Sequence, residues 1–204
     1  MKVYICENYK NANWAKKVPS GEKLSLAFAK LCVCDYIGRR PERVEIKFEK
    51  NRYGKPFIQE LRRKKGGRIN RDAFFSLSHS GDILICAVSH CNIGADCQVV
   101  NIRDIKTCRK IAGRFFSPRE NLVLDQLPDD DYTDKFFELW TKKEAYVKYT
   151  GRGLSEGLDT FSVFDVENVR FDRVTPCFEG AYIYICRSAE NGEEPRVEYV
   201  KYIK

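Results

Sequence analysis

The sequence predicts an α+β fold in which two similar lobes follow one another along the chain. Both halves of the 204 residues show the same order of elements: a strand, a helical region and then further strands. This order divides the chain near residues 95–102, and we place the lobes at residues 1–98 and 99–204. No residue-level repeat accompanies the division, so the two lobes are predicted from the order of elements alone.

The first half is predicted to begin with a short strand and a helix before a β-rich stretch. The apolar pattern predicts a strand at 3–6, a helix at 22–37 and a strand at 44–48. Turn formers occupy residues 51–56, and two glycines break the basic run 62–71 (RRKKGGRINR), which predicts a solvated loop. Residues 74–100 are strand-like, with tight turns at Gly81-Asp82 and Cys91-Asn92.

The second half is predicted to be helical first and then to form strands. One helix begins near Asp104 and ends at 116, and the next has Ser117 as its cap and Pro118 in its first turn. Residues 127–133, with a proline and three aspartates, are predicted to form a loop. A long helix then ends at Gly151, and strands are predicted at 158–164, 181–186 and 196–203.

The long helix, residues 135–151, carries charged side chains on its apolar face. At roughly 100° per residue, six residues form one broad apolar arc: Phe136, Phe137, Leu139, Trp140, Tyr146 and Val147. Glu144 and Lys143 lie within that arc, and Lys148 lies at its edge. A carboxylate among aromatic residues needs a cation or a metal, unless Glu144 and Lys148 form an ordinary surface pair.

Asp96 is a second carboxylate in an apolar environment, because it lies on a strand that should be largely buried. A buried aspartate is rarely unpaired, so Asp96 is predicted to bind a metal, to pair with a cation or to cap a turn. The residues alone leave these three alternatives open.

Charge and cysteine content restrict the class of protein. The net charge of +7, from 36 basic and 29 acidic residues, favours acidic partners. The basic run 62–71 could be a nucleic-acid patch, but no aromatic residue interleaves it, so nucleic-acid binding is not expected. Nine cysteines without a CxxC pair, no secretory signal and no membrane-length apolar run predict a cytoplasmic protein without a membrane span.

Three short stretches together identify a family resemblance. They are Ser78-His79-Ser80-Gly81, Ile93-Gly94-Ala95-Asp96 and residues 140–148 (WTKKEAYVK), supported by residues 53–56 (YGKP), 114–117 (RFFS) with Glu120, and 151–163 (GRGLSEGLDTFSV). In this order, over roughly residues 21–165, they resemble the surfactin-type 4′-phosphopantetheinyl transferases.

The resemblance implies an enzyme that moves the phosphopantetheine arm of coenzyme A onto a serine of an apo acyl or peptidyl carrier protein. Adenosine 3′,5′-bisphosphate is the other product, Mg²⁺ is the cofactor, and the coenzyme A site lies in the cleft between two lobes of a monomer. Two alternatives remain: a catalytically weakened relative that binds coenzyme A or a carrier, and a basic nucleic-acid-binding module.

The resemblance also implies roles for acidic residues. Asp96 and Glu144 match metal ligands, and Gln98 stands where the family has a second metal acid. A glutamine oxygen can still bind Mg²⁺ but adds no charge. Glu144 is expected to take the serine proton, with Glu120 as the second candidate.

Basic and polar residues are expected to bind the coenzyme by the same resemblance. Lys148 should stabilise charge on the diphosphate and on the leaving bisphosphate. Ser78 and His79 match the residues that hold the nucleotide end, although His79 is also explained as a turn residue with no ligand. The remaining expected contacts are Lys55 on the adenine side, Lys143 near the phosphates and Lys23, which replaces a family arginine at the 3′-phosphate.

Overall fold

The computed structural model describes residues 1–69, 72–100, 104–153, 157–175, 180–190, 192 and 194–199, and shows a mixed α+β fold, as predicted. Its helices and strands are β1 (Lys2–Glu7), α1 (Leu24–Tyr36), β2 (Val44–Lys50), β3 (Pro56–Arg63), β4 (Phe74–Ser80), β5 (Ile83–Ser89), β6 (Ile93–Val99), α2 (Ile105–Phe115), α3 (Pro118–Asp125), α4 (Asp129–Thr150), β7 (Val169–Arg173), β8 (Ala181–Ser188) and β9 (Arg196–Tyr199). Short 3₁₀ helices occupy Tyr9–Asn11, Ala15–Lys17, Pro41–Arg43 and Leu158–Thr160. None of the helices described is long and apolar enough to cross a bilayer.

The strands form two sheets and a separate hairpin. The first sheet has the order β4-β5-β1-β9, the second has the order β6-β8-β7, and β2 pairs with β3. All of these pairs are antiparallel except that of β1 with β9, which is parallel and places Lys2 opposite Arg196.

A common apolar core joins the two sheets. Ile5 and Ile85 of the first sheet belong to one buried cluster with Ile93, Ile183 and Ile185 of the second. The other face of the first sheet is covered by α1, and α2, α3 and α4 bury a largely aromatic cluster of their own.

Serine side chains join β4 to β6 across the boundary between the two sheets. The Ser76 hydroxyl accepts a hydrogen bond from the Ala95 N–H at 2.9 Å. The Ser80 hydroxyl accepts one from the Val99 N–H, also at 2.9 Å. Because alternate residues of a strand share a face, serines at 76 and 80 can both reach the backbone of β6.

Gly94 allows α4 to lie directly against β6. A Cβ atom at this position would lie 2.0 Å from the Ala145 carbonyl oxygen and 2.4 Å from the Tyr149 nitrogen. Only glycine permits this approach, which explains why the strand contains one. The contact fixes the position of α4 over the strand that carries Asp96.

Two sequence predictions were wrong in the second half of the chain. Residues 127–133 are not all loop, because α4 begins at Asp129 and its first turn holds three aspartates. Carboxylates are stabilised there by the positive end of the helix. Residues 158–164 do not form a strand, because they contain the 3₁₀ helix Leu158–Thr160 and their backbone is held by α3 and α4 through side chains.

A third correction concerns the first half. Strand β3 was not predicted, and it includes Arg62 and Arg63, so the basic run is only partly loop. Residues 70–71 of that run, 154–156 of the supporting stretch 151–163 and 200–203 of the last predicted strand lie outside the described residues. The division into lobes 1–98 and 99–204 stays a prediction, while β6 pairs with β8 and β9 pairs with β1 across it.

Candidate active site

Asp96 is buried in β6 and is held by three side chains. It is 2% exposed. Its Oδ1 atom accepts hydrogen bonds from the Ser78 hydroxyl and from the Lys148 ammonium, both at 2.6 Å. Its Oδ2 atom accepts one from the Gln98 amide at 3.1 Å. Of the alternatives that the sequence left open, the structure shows pairing with a cation.

Glu144 lies one helical turn before Lys148 and near Asp96. Burial raises the pKa of the Glu144 carboxyl, and the charge of Asp96 raises it further, while Lys148 opposes both effects. No hydrogen bond to this carboxylate occurs in the described part of the chain. The surface Glu144–Lys148 pair is therefore not formed, since the Lys148 ammonium binds Asp96 instead.

Glu144 and Lys148 line a cavity of about 260 Å³ beside β4. The turn between β2 and β3 and the glycines that follow α4 complete its walls. The cavity therefore brings together a half-buried carboxylate and a cation on one helix.

These residues fit a divalent cation that prefers oxygen ligands. Among the described residues, no cluster of three or more His, Cys, Asp or Glu side chains is arranged for a metal. Asp96 and Glu144 supply two carboxylates whose mutual repulsion a cation would relieve, and Gln98 adds an amide oxygen. Mg²⁺ commonly binds proteins through one or two carboxylates, with waters and substrate phosphates completing its shell.

Hydrogen bonds join the turn between β2 and β3 to the end of α4 and to the start of β6. The Asn51 amide donates to the Gly151 carbonyl at 2.7 Å, which joins the turn to the end of α4. The Lys55 ammonium donates to the Asn92 side chain at 3.2 Å and to the Ile93 carbonyl at 3.1 Å. Burial lowers the pKa of Lys55 to about 8, so this amine loses its proton more easily than an exposed lysine.

Three other predicted coenzyme contacts are not among the described residues that line this cavity: Ser78, His79 and Lys23. Ser78 is directly bonded to Asp96. His79 is exposed at the end of β4, with its ring centroid 6.3 Å from that of Tyr9. Lys23 is exposed immediately before α1, and no contact in the described structure joins it to the carboxylates.

Lys143 and Glu120 form a fully buried ion pair of their own. Both side chains are 0% exposed, and the Lys143 ammonium lies 2.6 Å from Glu120. Lys143 also donates to the Phe161 carbonyl at 2.7 Å, while Glu120 accepts from the backbone N–H groups of Ser117 and Val163, each at 2.9 Å. In this geometry the pair joins α3, α4 and the following segment, so direct contact with a ligand requires the pair to open.

Sequence reasoning missed the packing role of Gly94 and the anchoring role of Asn51. An isolated glycine within a strand pattern signals close approach of another backbone, and this signal was present in the sequence. The sequence predicts only a turn at Asn51, because no local signal indicates its hydrogen bond to Gly151, which is 100 residues away.

Sequence comparison now identifies the family. The profile described as "4'-phosphopantetheinyl transferase superfamily" matches residues 92–197, which is 106 of the 204 residues. The chain belongs to this superfamily.

Individual relatives agree with this result. The chain is 41% identical over 118 residues to a 4'-phosphopantetheinyl transferase of Bacillus subtilis, covering 58% of this chain and 47% of the relative. It is 38% identical over 122 residues to 4'-phosphopantetheinyl transferase Sfp of Bacillus subtilis (strain 168), covering 60% and 49%. It is 36% identical over 122 residues to HetI of Nostoc sp., covering 59% and 47%. The chain spans about half the length of the curated relatives that it matches.

Proposed function

We propose that this member of the superfamily transfers the 4′-phosphopantetheine arm of coenzyme A to a serine hydroxyl of an apo acyl or peptidyl carrier protein. Adenosine 3′,5′-bisphosphate leaves. The observation that carries the proposal is the close approach of Asp96 on strand β6 to Glu144 and Lys148 on helix α4. Family membership supports the same reaction.

The reaction suits the charges of this site. The serine oxygen attacks the phosphorus that bears pantetheine, and the bond from that phosphorus to the bridging oxygen of the diphosphate breaks. Such transfer depends mainly on positioning and on neutralising developing charge. Asp96, Glu144 and Gln98 would hold Mg²⁺, which would supply positive charge at the diphosphate. In our proposal, the Lys148 ammonium exchanges its hydrogen bond to Asp96 for one to the leaving bisphosphate.

Glu144 is the better candidate for accepting the serine proton. Its raised pKa makes it a stronger base than an exposed glutamate, and it faces the cavity. Glu120 is fully buried and bonded to Lys143, so we assign that pair to support of the site.

We place coenzyme A in a cleft between the lobes 1–98 and 99–204. Lys55 lines the cavity beside Glu144, and a phosphate there would favour its charged form. Ser78, His79, Lys23 and Lys143 remain proposed contacts, of which Lys143 requires the buried pair to open. A monomer acting in the cytoplasm completes the proposal.

The direct test is incubation with coenzyme A, Mg²⁺ and apo carrier proteins, read by intact mass. We expect the mass of one phosphopantetheine to be added to the carrier and not to a carrier whose acceptor serine is alanine. Failure with carriers of fatty acid, polyketide and peptide synthesis would contradict the proposed function.

Glu144→Gln tests the catalytic assignment, and Glu138→Gln on the same helix is its matched control. Glu138 forms half-buried ion pairs with Lys135 and Lys142 and is not among the residues that line the cavity, so its amide variant should keep transfer. We expect Glu144→Gln to abolish transfer with an unchanged melting temperature. Full activity in Glu144→Gln would remove our assignment while leaving the transferase proposal intact.

Gln98 favours one second candidate, a relative with weakened catalysis. Its amide donates to Asp96, so the position contributes no negative charge to a metal site. If the wild type is inactive and Gln98→Glu is active, the protein is a relative with weakened catalysis. If the wild type is active, Gln98→Glu should lower the half-saturating Mg²⁺ concentration about tenfold, which corresponds to about 1.4 kcal/mol for one added charge contact.

A further inference from the structure

A second cavity, which is lined mainly by basic residues, lies at the end of the β2–β3 hairpin that is opposite its turn. It has a volume of about 670 Å³, within the range of about 300–1,000 Å³ that small-molecule sites occupy. Its walls come from the segment after α1, the 3₁₀ helix Pro41–Arg43, the start of β2 and the end of β3. We call it the hairpin pocket.

The hairpin pocket is strongly positive. Five cations and one carboxylate, Glu42, line it, for a net charge of +4 (five minus one); the cations are Arg39, Arg43, Arg63, Lys64 and Lys65. None of the five pairs with a carboxylate in the described part of the chain, whereas the neighbouring Arg62 pairs with Glu60 at 3.2 Å. A concave surface lined by one sign of charge concentrates counter-ions, so an anion would relieve the repulsion among these cations.

The backbone that carries these cations is held in place. The Lys64 N–H donates to the Arg43 carbonyl at 3.0 Å, and the Arg39 N–H donates to the Cys34 carbonyl at 2.8 Å. Val44 is 1% exposed and pairs with Arg63 across the hairpin, within a small core beneath the pocket. The segments that carry the cations therefore have a fixed backbone.

The chemistry of the walls selects the class of ligand. Arginine forks bind phosphate oxygens in pairs, and lysines add point charges. No aromatic side chain is among the described residues that line the pocket, so bases have no stacking surface there. The cations surround a concavity instead of forming a stripe, which favours a compact ligand over a linear polyanion.

We propose that the hairpin pocket binds a small ligand with two or more clustered phosphate groups, such as an oligophosphate. The pocket is separate from the group formed by Asp96, Glu144 and Lys148, which we call the Asp96 site. Lys55 lies just before β3 and Arg63 at its end, a span of about 23–27 Å at roughly 3.3 Å per residue. The inference does not rest on the transferase proposal.

Isothermal titration calorimetry with sodium tripolyphosphate tests the inference in the presence of a chelator, which removes divalent cations. We expect one saturable site in the wild type. Arg43→Ser/Arg63→Ser should weaken binding at least tenfold. The control Lys106→Ser/Lys110→Ser removes the same charge from the exposed face of α2 and should change binding less than twofold. Equal melting temperatures would show that each variant is folded.

Four results would overturn the inference. Absence of saturable binding, or equal weakening in both double variants, would reduce the pocket to general electrostatic attraction. Loss of binding in Lys148→Met but not in the pocket variant would place tripolyphosphate at the Asp96 site. Tighter binding of a short DNA duplex than of tripolyphosphate, lost in Arg43→Ser/Arg63→Ser, would make the hairpin a nucleic-acid surface.

Discussion

Replacing Gly94 with alanine should separate α4 from β6. The added Cβ would lie 2.0 Å from the Ala145 carbonyl oxygen. The backbone fixes the positions of both atoms, so no change of rotamer can relieve the contact. Reaching an ordinary contact of about 3.4 Å requires a movement of about 1.4 Å. If the helix moves straight away from β6 and the Lys148 side chain keeps its rotamer, the 2.6 Å contact of Lys148 with Asp96 lengthens to about 4.0 Å and the hydrogen bond is lost.

The expected effects are large in both stability and activity. Overpacking of a core costs about 1–3 kcal/mol, which corresponds to a fall of roughly 2–12 °C in melting temperature for a chain of this size. A misplacement of about 1 Å at a reacting centre can reduce the rate about 100-fold. Thermal unfolding measures the first effect without reference to function, and the carrier mass assay measures the second.

Gly113→Ala is the matched control for this substitution. A Cβ at this position on α2 meets no atom within 4 Å, and the backbone is helical. Alanine there should leave transfer unchanged and stabilise the protein by up to about 1 kcal/mol. A Gly94→Ala protein with the melting temperature and transfer rate of the wild type would refute the close packing of α4 on β6.

Two further predictions concern buried lysines. Lys143→Met should lower stability by about 3–5 kcal/mol in urea denaturation, because it leaves the Glu120 carboxylate buried without its cation. Lys143→Met/Glu120→Gln should recover part of that loss, and no recovery would contradict the charge argument. Lys55 has a pKa of about 8 in the folded protein against an ordinary 10.5, so the unfolded chain binds more protons between those values. Stability of the wild type relative to Lys55→Met should therefore rise from about pH 8 to 10.5, and a flat difference would contradict the burial of Lys55.

Much of the fold could be predicted because its elements carry local signals. The strands of the first sheet either alternate apolar and polar residues or are apolar throughout. Helix α3 begins at Ser117-Pro118, where Ser117 forms a capping box with Glu120. Asp104 likewise caps α2 through its side chain. Asp96 was expected to be buried and paired, and the structure confirms both.

The elements that were predicted wrongly depend on distant contacts. Residues 158–164 are rich in the apolar, aromatic and β-branched residues typical of a strand, but the Lys143 ammonium donates to the Phe161 carbonyl and the Glu120 carboxylate accepts from the Val163 N–H. Those bonds come from helices earlier in the chain and override the local pattern. In β3, Phe57 and Ile58 are adjacent, and the pairing with β2 shifts register between Lys47 and Phe48, so no regular apolar alternation marks this strand in the sequence.

The candidate site shows the same division between local and distant information. Family motifs named Asp96, Glu144 and Lys148, but motifs contain no distances. The close packing of α4 on β6 at Gly94 brings Lys148 to Asp96. A sequence does not reveal which helix will pack against a glycine in a strand.

The parallel pairing of β9 with β1 has a consequence for biosynthesis. Lys2 lies opposite Arg196, so a ribosome must add 194 further residues before β1 acquires its neighbour on that side. Until then the nascent chain presents unpaired backbone groups along one strand, which invites association with other chains. A product truncated before Arg196 should therefore aggregate, even though it contains every residue of the Asp96 site.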